Sequence, residues 1–361
     1  MVAFLRSVPG FLDMLGGAVS ERGRAAFRVL SPGRAARDME RRIWMNCVIL
    51  DGYTLNPGDL DWSALGRFGE LTVYDRTPPE LVAERIGEAQ AAMTNKTVLD
   101  RAVLEACPNL RYISVLATGY NVVDLEAARE RGIVVTNIPA YSTHAVAQHV
   151  FALLLELTNH VGLHSESVKA GNWAKAPDFC YWEKPMMELE GKTFGIVGYG
   201  RIGQAAARLA LAFGMEVLVS SSHTIEAAPG LRAAGLEEVL SRADVLSLHC
   251  PLTEERRGFL NRERLAAMKR GVLIINTARG PLIDGSALYE ALCSGQVGGA
   301  ALDVLCEEPP RGGDLLIGAP NCIITPHLAW GPWETRARLL ETAAHNLERF
   351  LAGAPVNVVV P

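Results

Sequence analysis

Four ionisable residues stand at or just past the ends of short apolar runs in the second half of this 361-residue sequence. Arg279 closes "VLIINTARG", Asp303 closes "GAALDV", Glu308 follows five residues later, and His327 closes "CIITPH". A guanidinium meets planar anions with directed hydrogen bonds, and an imidazole moves protons near neutral pH. Upstream, "TFGIVGYGRIGQAAARLALAFG" carries Gly198, Gly200 and Gly203 as G-x-G-x-x-G. In such a turn the first glycine permits the tight bend and the second lets backbone approach a pyrophosphate. The third lets helix and strand pack closely. The helix start, with Arg201 and Ile202, offers free N–H groups and a positive dipole end to phosphates. Singly, the four polar residues have plain structural readings. Arg279 could serve a helix cap, Asp303 an N-cap, Glu308 a solvated loop and His327 a buried polar contact. Together, beside a dinucleotide turn, they point to one shared crevice.

Side chains at strand ends meet when the strands are parallel, because ligands gather outside the carboxyl ends. From Met45 the runs "CVILDG", "LTVYD", "AAMTN", "RYISVLA" and "GIVVTN" read as five strands with helices between most of them. That alternation implies a parallel sheet covered by helices. At Ser142, a favourable N-cap, a long helix begins in "AYSTHAVAQHVFALLLELTNHV". It is apolar on most faces, as a helix buried between domains or subunits would be. After the loop 171–191 come "TFGIVG", "EVLVS", "DVLSLHC", "VLIINTA", "GAALDV" and "CIITPH". On the helix of the Gly-rich turn, Ile202, Ala205, Ala206, Leu209, Ala210 and Phe213 recur at helical spacing and form its expected inner face. A last long helix is expected over 332–351. The fold class is α/β, with two doubly wound parallel-sheet domains. Residues 45–141 and 328–361 make one, and residues 142–327 make the other.

Composition narrows the function. Apolar residues are 49% and charged residues 21%, as in an ordinary globular enzyme. A net charge of −5 carries no footprint of a nucleic-acid or membrane partner. The run "HVFALLLEL" is broken by Glu156 and is too short to span a bilayer. Seven scattered cysteines without a C-x-x-C pair argue against a disulfide framework or a zinc site and fit isolated cytoplasmic thiols. No other metal-ligand cluster stands out. The first 44 residues differ, with eight Arg, four acids, no Lys and no β-rich run. They are expected to be a disordered tail or a translation artefact ahead of a start at Met45. Arg41 and Arg42 can be encoded as AGG-AGG, a ribosome-binding sequence. An organelle-targeting peptide is the rival, weakened by the acids and the Pro and Gly breaks.

The segments "GIVGYGRIG", "LHCPLT", "NTARGPLID", "ALDVLCEEP" and "TPHLAW" together resemble the D-isomer-specific 2-hydroxyacid dehydrogenases, from about Met45 to Pro361. "ATGYNVVDLEAARERGIVVTNIPAYST", "DFCYW" and "HLAW" look most like the glycerate dehydrogenase/hydroxypyruvate reductase branch. The resemblance implies a Rossmann nucleotide domain inserted in a flavodoxin-like substrate domain. It implies that His327 is the acid/base, Glu308 its carboxylate partner and Arg279 the substrate-binding arginine. Asp303 would lie beside the nicotinamide with Ala278 on the cofactor side, and Pro251 would touch the adenosine. Thr118 and Gly119 would hold the substrate carboxylate through backbone N–H groups. The chemistry asks for these types. Hydride delivery to the carbonyl carbon of a 2-oxo acid builds an alkoxide that needs a proton, and imidazolium is its natural donor. A carboxylate beside the imidazole favours the charged form and fixes the ring.

Ser221 occupies the end of the second strand, where an acid would grip the adenosine ribose. Ser221, Ser222 and His223 replace it, and no Arg or Lys lies in 215–231. The cofactor is therefore expected to be NAD or NADP with weak discrimination, NADPH being usable. The expected reaction is reduction of hydroxypyruvate or glyoxylate to D-glycerate or glycolate. Another 2-oxo acid such as 3-phosphohydroxypyruvate is the near alternative. A non-catalytic NAD(H)-sensing co-repressor is the distant one. The resemblance also implies a homodimer. The helix from Ser142 and the loop with Trp173, Tyr181 and Trp182 are the candidate interface.

Overall fold

The computed structural model describes residues 27–29 and 44–360, and the rest of the N-terminal extension lies outside the described residues. The chain splits into two compact units. The first comprises Met1–Ile138 and Leu340–Pro361, and the second is Pro139–Leu339.

The first unit is built on a seven-stranded sheet. Its strands are β1 (Phe27–Val29), β2 (Cys47–Ile49), β3 (Leu71–Val73), β4 (Ala91–Thr94), β5 (Tyr112–Val115), β6 (Val134–Thr136) and β14 (Val358–Val360), in the order β1-β3-β2-β4-β5-β6-β14. The five inner strands are parallel, in the flavodoxin-type 2-1-3-4-5 arrangement. The two edge strands run antiparallel. Every residue of β2, β4 and β5 is buried, as expected for strands covered on both faces. β1 is not among the strands read from the sequence. A three-residue edge pairing rests on backbone hydrogen bonds and needs no apolar periodicity. β14, "VVV", is apolar but only three residues long, and is missed too.

The second unit carries β7 (Thr193–Val197), β8 (Glu216–Ser220), β9 (Leu231–Ala233), β10 (Val245–Leu248), β11 (Val272–Asn276), β12 (Val297–Leu302) and β13 (Cys322–Ile324). Their order, β13-β12-β11-β10-β7-β8-β9, is the Rossmann order 3-2-1-4-5-6 with a seventh strand added. All are parallel. β9 was not legible, because "LRA" is short, edge-lying and interrupted by Arg232. One face of the sheet packs on Leu246, Leu248, Ile274 and Leu288, and the other on Phe194, Ile196, Ala206 and Leu154.

Two local expectations need correction. Ser142 stands at the N-cap of the helix Thr143–Asn159, but its side chain accepts no capping hydrogen bond. In the helix Arg201–Ala212 the fully covered face is Gly203, Ala205, Ala206, Ala207 and Ala210. Phe213 lies past the helix end and is 40% exposed, with its ring stacked 5.3 Å from Phe151. Small residues face inward because this helix packs closely on β7, β8 and the helix Thr143–Asn159. No helix among the described residues is long and apolar enough to cross a membrane.

Candidate active site

The three turn glycines do three different jobs. Gly198 has φ +96°, and a Cβ there would lie 2.6 Å from the Cys250 nitrogen and 2.7 Å from the His249 carbonyl oxygen. A Cβ on Gly203 would lie 2.3 Å from the Gly198 carbonyl oxygen. At Gly200 nothing stands within 4 Å, so the backbone there is open to a ligand. Arg201 and Ile202 open the helix directly after it. A cavity of about 550 Å³ extends from this turn along the ends of β7, β8 and β10. Gly198, Gly200, Ser221, Ser222, His223 and Pro251 all line it. The open face at Gly200, the helix start and the cavity fit the pyrophosphate and adenosine of a dinucleotide.

The ionisable residues lie along the ends of the next strands. Arg279 follows β11 and is exposed. Asn276 shapes its turn, accepting from the Ala278 amide at 3.0 Å and donating to the Arg279 carbonyl at 2.8 Å. Ala278 is thereby fixed beside Arg279 and does not line the glycine-turn cavity. Gly280 lets this turn approach the loop after β12, since a Cβ there would stand 2.1 Å from the Leu305 carbonyl. On that loop, Glu308 Oε1 accepts from the Leu305 amide at 3.0 Å. Its Oε2 lies 2.6 Å from His327 Nδ1. The two side chains are about one third exposed, which leaves the ring's outer edge reachable. The structure thus joins His327 to Glu308, the partner that the family resemblance implies.

His327 itself has φ +51°, a left-handed conformation that a residue with a Cβ adopts at a cost. Asp303 holds that turn. It is 1% exposed, and its carboxylate accepts from the Leu328 and Ala329 amides at 2.9 Å each and from Thr325 Oγ1 at 2.6 Å. The backbone carbonyl of Asp303 also accepts from the His327 amide at 2.9 Å. Burial alone would raise the Asp303 carboxyl. The hydrogen bonds from His149, Thr325 and the two amides outweigh it, so the group is held below its ordinary value. Both oxygens are engaged within the protein, so any contact with a nicotinamide would be an addition to this structural work.

In the first unit, Thr118 and Gly119 lie on the loop after β5. Thr118 Oγ1 donates to the Ile138 carbonyl at 3.0 Å, and Asn137 Nδ2 donates to the Thr118 carbonyl at 2.8 Å. The amides of Thr118 and Gly119 make no hydrogen bond with the described residues, leaving two donors for an anion.

Several residues escaped the sequence reading. Arg256 and Arg264 line the same cavity as the serines, from the segment after β10. Arg264 is engaged by Glu237 at 3.2 Å and by the Phe259 carbonyl at 2.8 Å. Arg256 makes no ion pair among the described residues. No Arg or Lys lies in 215–231, and the cavity draws its cations from a segment two strands further on. His249 also lines the cavity, with Nε2 2.9 Å from Ser247 Oγ; burial pushes it down to about 4, so it is neutral at pH 7. It lies within "LHCPLT". Asp51, 7% exposed, accepts from the amides of Asn95, Lys96 and Thr97 at 2.6–2.8 Å and fixes the loop after β4. His149 reaches Asp303 from a helix, a link that no local pattern announces. Among the described residues, no group of three or more His, Cys, Asp or Glu could hold a metal ion.

Comparison with known proteins gives the family. Residues 151–329 match the family model "D-isomer specific 2-hydroxyacid dehydrogenase, NAD binding domain". A hydroxypyruvate reductase of Blautia hydrogenotrophica is 52% identical over 320 residues, covering 87% of this chain and 99% of that protein. A glycerate dehydrogenase of Methylorubrum extorquens is 41% identical over 293 residues, covering 80% and 92%. Among solved structures, an acyclic imino acid reductase in complex with NADPH and D-Arg superposes with a TM-score of 0.76 at 30% identity, over 88% of this chain and all of that one. Together, the open glycine turn, the histidine–glutamate pair and identity along nearly the whole described chain establish that it belongs to the D-isomer-specific 2-hydroxyacid dehydrogenases.

Proposed function

We propose that this enzyme reduces hydroxypyruvate, and with it glyoxylate, to D-glycerate and glycolate, using NADPH or NADH. The observation that carries the reading is the 2.6 Å contact between His327 Nδ1 and Glu308 Oε2, within the unit that holds the glycine turn. The names of the two relatives point to the same substrate.

When bound, the nicotinamide supplies the hydride. The chain's own residues do the rest. His327 holds the proton at Nε2, because Nδ1 is occupied by Glu308, and delivers it to the oxygen of the reacting carbonyl. Glu308 fixes the ring and favours its charged form. Arg279 directs its guanidinium at the carboxylate and carbonyl oxygens. Thr118 and Gly119 offer their amides to the carboxylate, which makes the first unit the substrate domain. At the other end, Ser221 and Ser222 meet the ribose, with Arg256 available to a 2′-phosphate.

We assign the enzyme to the cytoplasm and to a homodimer. The segment after the helix Thr143–Asn159 exposes Trp173 (53%), Phe179 (88%) and Trp182 (64%), which suits an apolar subunit contact. A monomer by light scattering at micromolar concentration removes the dimer. The function is tested by following absorbance at the NAD(P)H band with hydroxypyruvate, glyoxylate and several larger 2-oxo acids. Turnover fastest with hydroxypyruvate is expected. Tight cofactor binding without turnover of any 2-oxo acid overturns the proposal.

A further inference from the structure

The turn that presents His327 is anchored at one point behind the site. His149, on the helix Thr143–Asn159, places Nε2 3.1 Å from Thr325 Oγ1 and 3.5 Å from Asp303 Oδ1. Thr325 Oγ1 is in turn 2.6 Å from Asp303 Oδ1. A carboxylate only accepts, so the Thr325 hydroxyl donates to Asp303, and its free lone pair faces His149. The imidazole must then carry its proton on Nε2 and donate. Its side chain is 17% exposed and Asp303 is 1% exposed, so water competes poorly for these bonds.

We propose that His149 is a positioning residue, acting through Thr325 and Asp303 on the His327 turn. This rests on the acid role proposed for His327. The donor on His149 satisfies Thr325 and helps to load Asp303 Oδ1. Asp303 Oδ1 and Oδ2 then grip the Leu328 and Ala329 amides. Those two residues follow His327, whose φ of +51° the turn must enforce. Glu308 fixes the ring by Nδ1, while this network fixes the backbone that carries it. A misplaced reacting group costs rate with little effect on the binding of a distant cofactor. His149 has no part in the glycine-turn cavity.

The experiment compares His149→Ala, His149→Gln and Thr325→Val in the full chain. It measures kcat and KM for hydroxypyruvate, and NADPH affinity by fluorescence titration. His149→Ala should lower kcat by roughly tenfold to a hundredfold, while NADPH affinity stays within about twofold. His149→Gln, which keeps an N–H donor at similar reach, should recover most of the loss. Thr325→Val keeps the side-chain shape and should lose activity as His149→Ala does. Wild-type kcat in His149→Ala overturns the proposal, as does a glutamine variant no better than alanine. If His149→Ala fails to fold, wild-type kcat in Thr325→Val is decisive against it. His327→Ala separates the two readings. An inactive His327→Ala beside fully active His149 and Thr325 variants removes this inference alone, whereas an active His327→Ala removes the acid role beneath it.

Discussion

The two ends of the Rossmann unit's carboxyl edge are built in opposite ways. At the His327 end each polar group is fixed by others. Asp303 accepts from three donors within 2.9 Å, and Glu308 is held through both oxygens. At the proposed ribose end Ser222 and His223 are exposed, and among the described residues the side chains of Ser221, Ser222 and His223 make a single hydrogen bond, from the His223 amide to Ser221 Oγ at 3.1 Å. The difference fits the roles proposed for the two ends. Proton transfer by His327 would need atoms placed within a few tenths of an ångström, and its groups are preorganised. The adenosine takes no part in the chemistry, and its end must only bind. An enzyme can change its cofactor at a loosely built end without disturbing the reaction.

Substitutions can break this contrast. The largest effect is expected from His327→Ala, with kcat falling about 10²- to 10⁴-fold while NADPH affinity is kept. Steady-state kinetics beside fluorescence titration check it. Asp303→Asn should come next, and it carries a pH signature. The carboxyl is held below its ordinary value, so its stabilising contribution is complete above an unfolded value of about 3.9 and is lost as pH falls through the lower folded value. Urea melts from pH 3 to pH 7 should therefore show wild type and variant converging only at the acid end. A constant gap across that range would detach the stability effect from ionisation.

The ribose end should respond more weakly and only in cofactor choice. Arg256→Ala should weaken adenosine 2′,5′-bisphosphate by roughly tenfold, about 1.4 kcal/mol, and leave 5′-AMP unchanged in calorimetry. Equal loss for both ligands would move Arg256 to the pyrophosphate or adenine. Ser221→Asp should shift preference toward NADH by a few-fold with kcat unaltered, because a carboxylate accepts from the 2′-hydroxyl and repels a 2′-phosphate. A wild-type enzyme already a hundredfold selective for NADH would contradict the idea of a permissive ribose site.

The strands that carry these residues were largely legible. Eleven apolar runs named from the sequence became β2–β8 and β10–β13, with β9 as the omission between them. Buried parallel strands must be continuously apolar, so they announce themselves. The three-residue strands β1 and β9 are each interrupted by an arginine, and β14, though apolar, is too short to stand out as a run. The inner face of the Arg201–Ala212 helix was only half legible. Spacing named Phe213, but the tight approach to β7 selects alanines and turns Phe213 outward.

The sequence by itself determined the glycine turn and the parallel order of chemistry-bearing strand ends. Those depend on local backbone geometry and on fixed spacing along the chain. Tertiary structure alone decided that Arg256 stands with Ser221 in one cavity, that His149 reaches Asp303 across more than 150 residues, and that Asp303 spends its carboxylate on the His327 turn. Each of these joins segments distant in sequence, and only strand order and helix packing bring them within hydrogen-bonding or Coulombic reach.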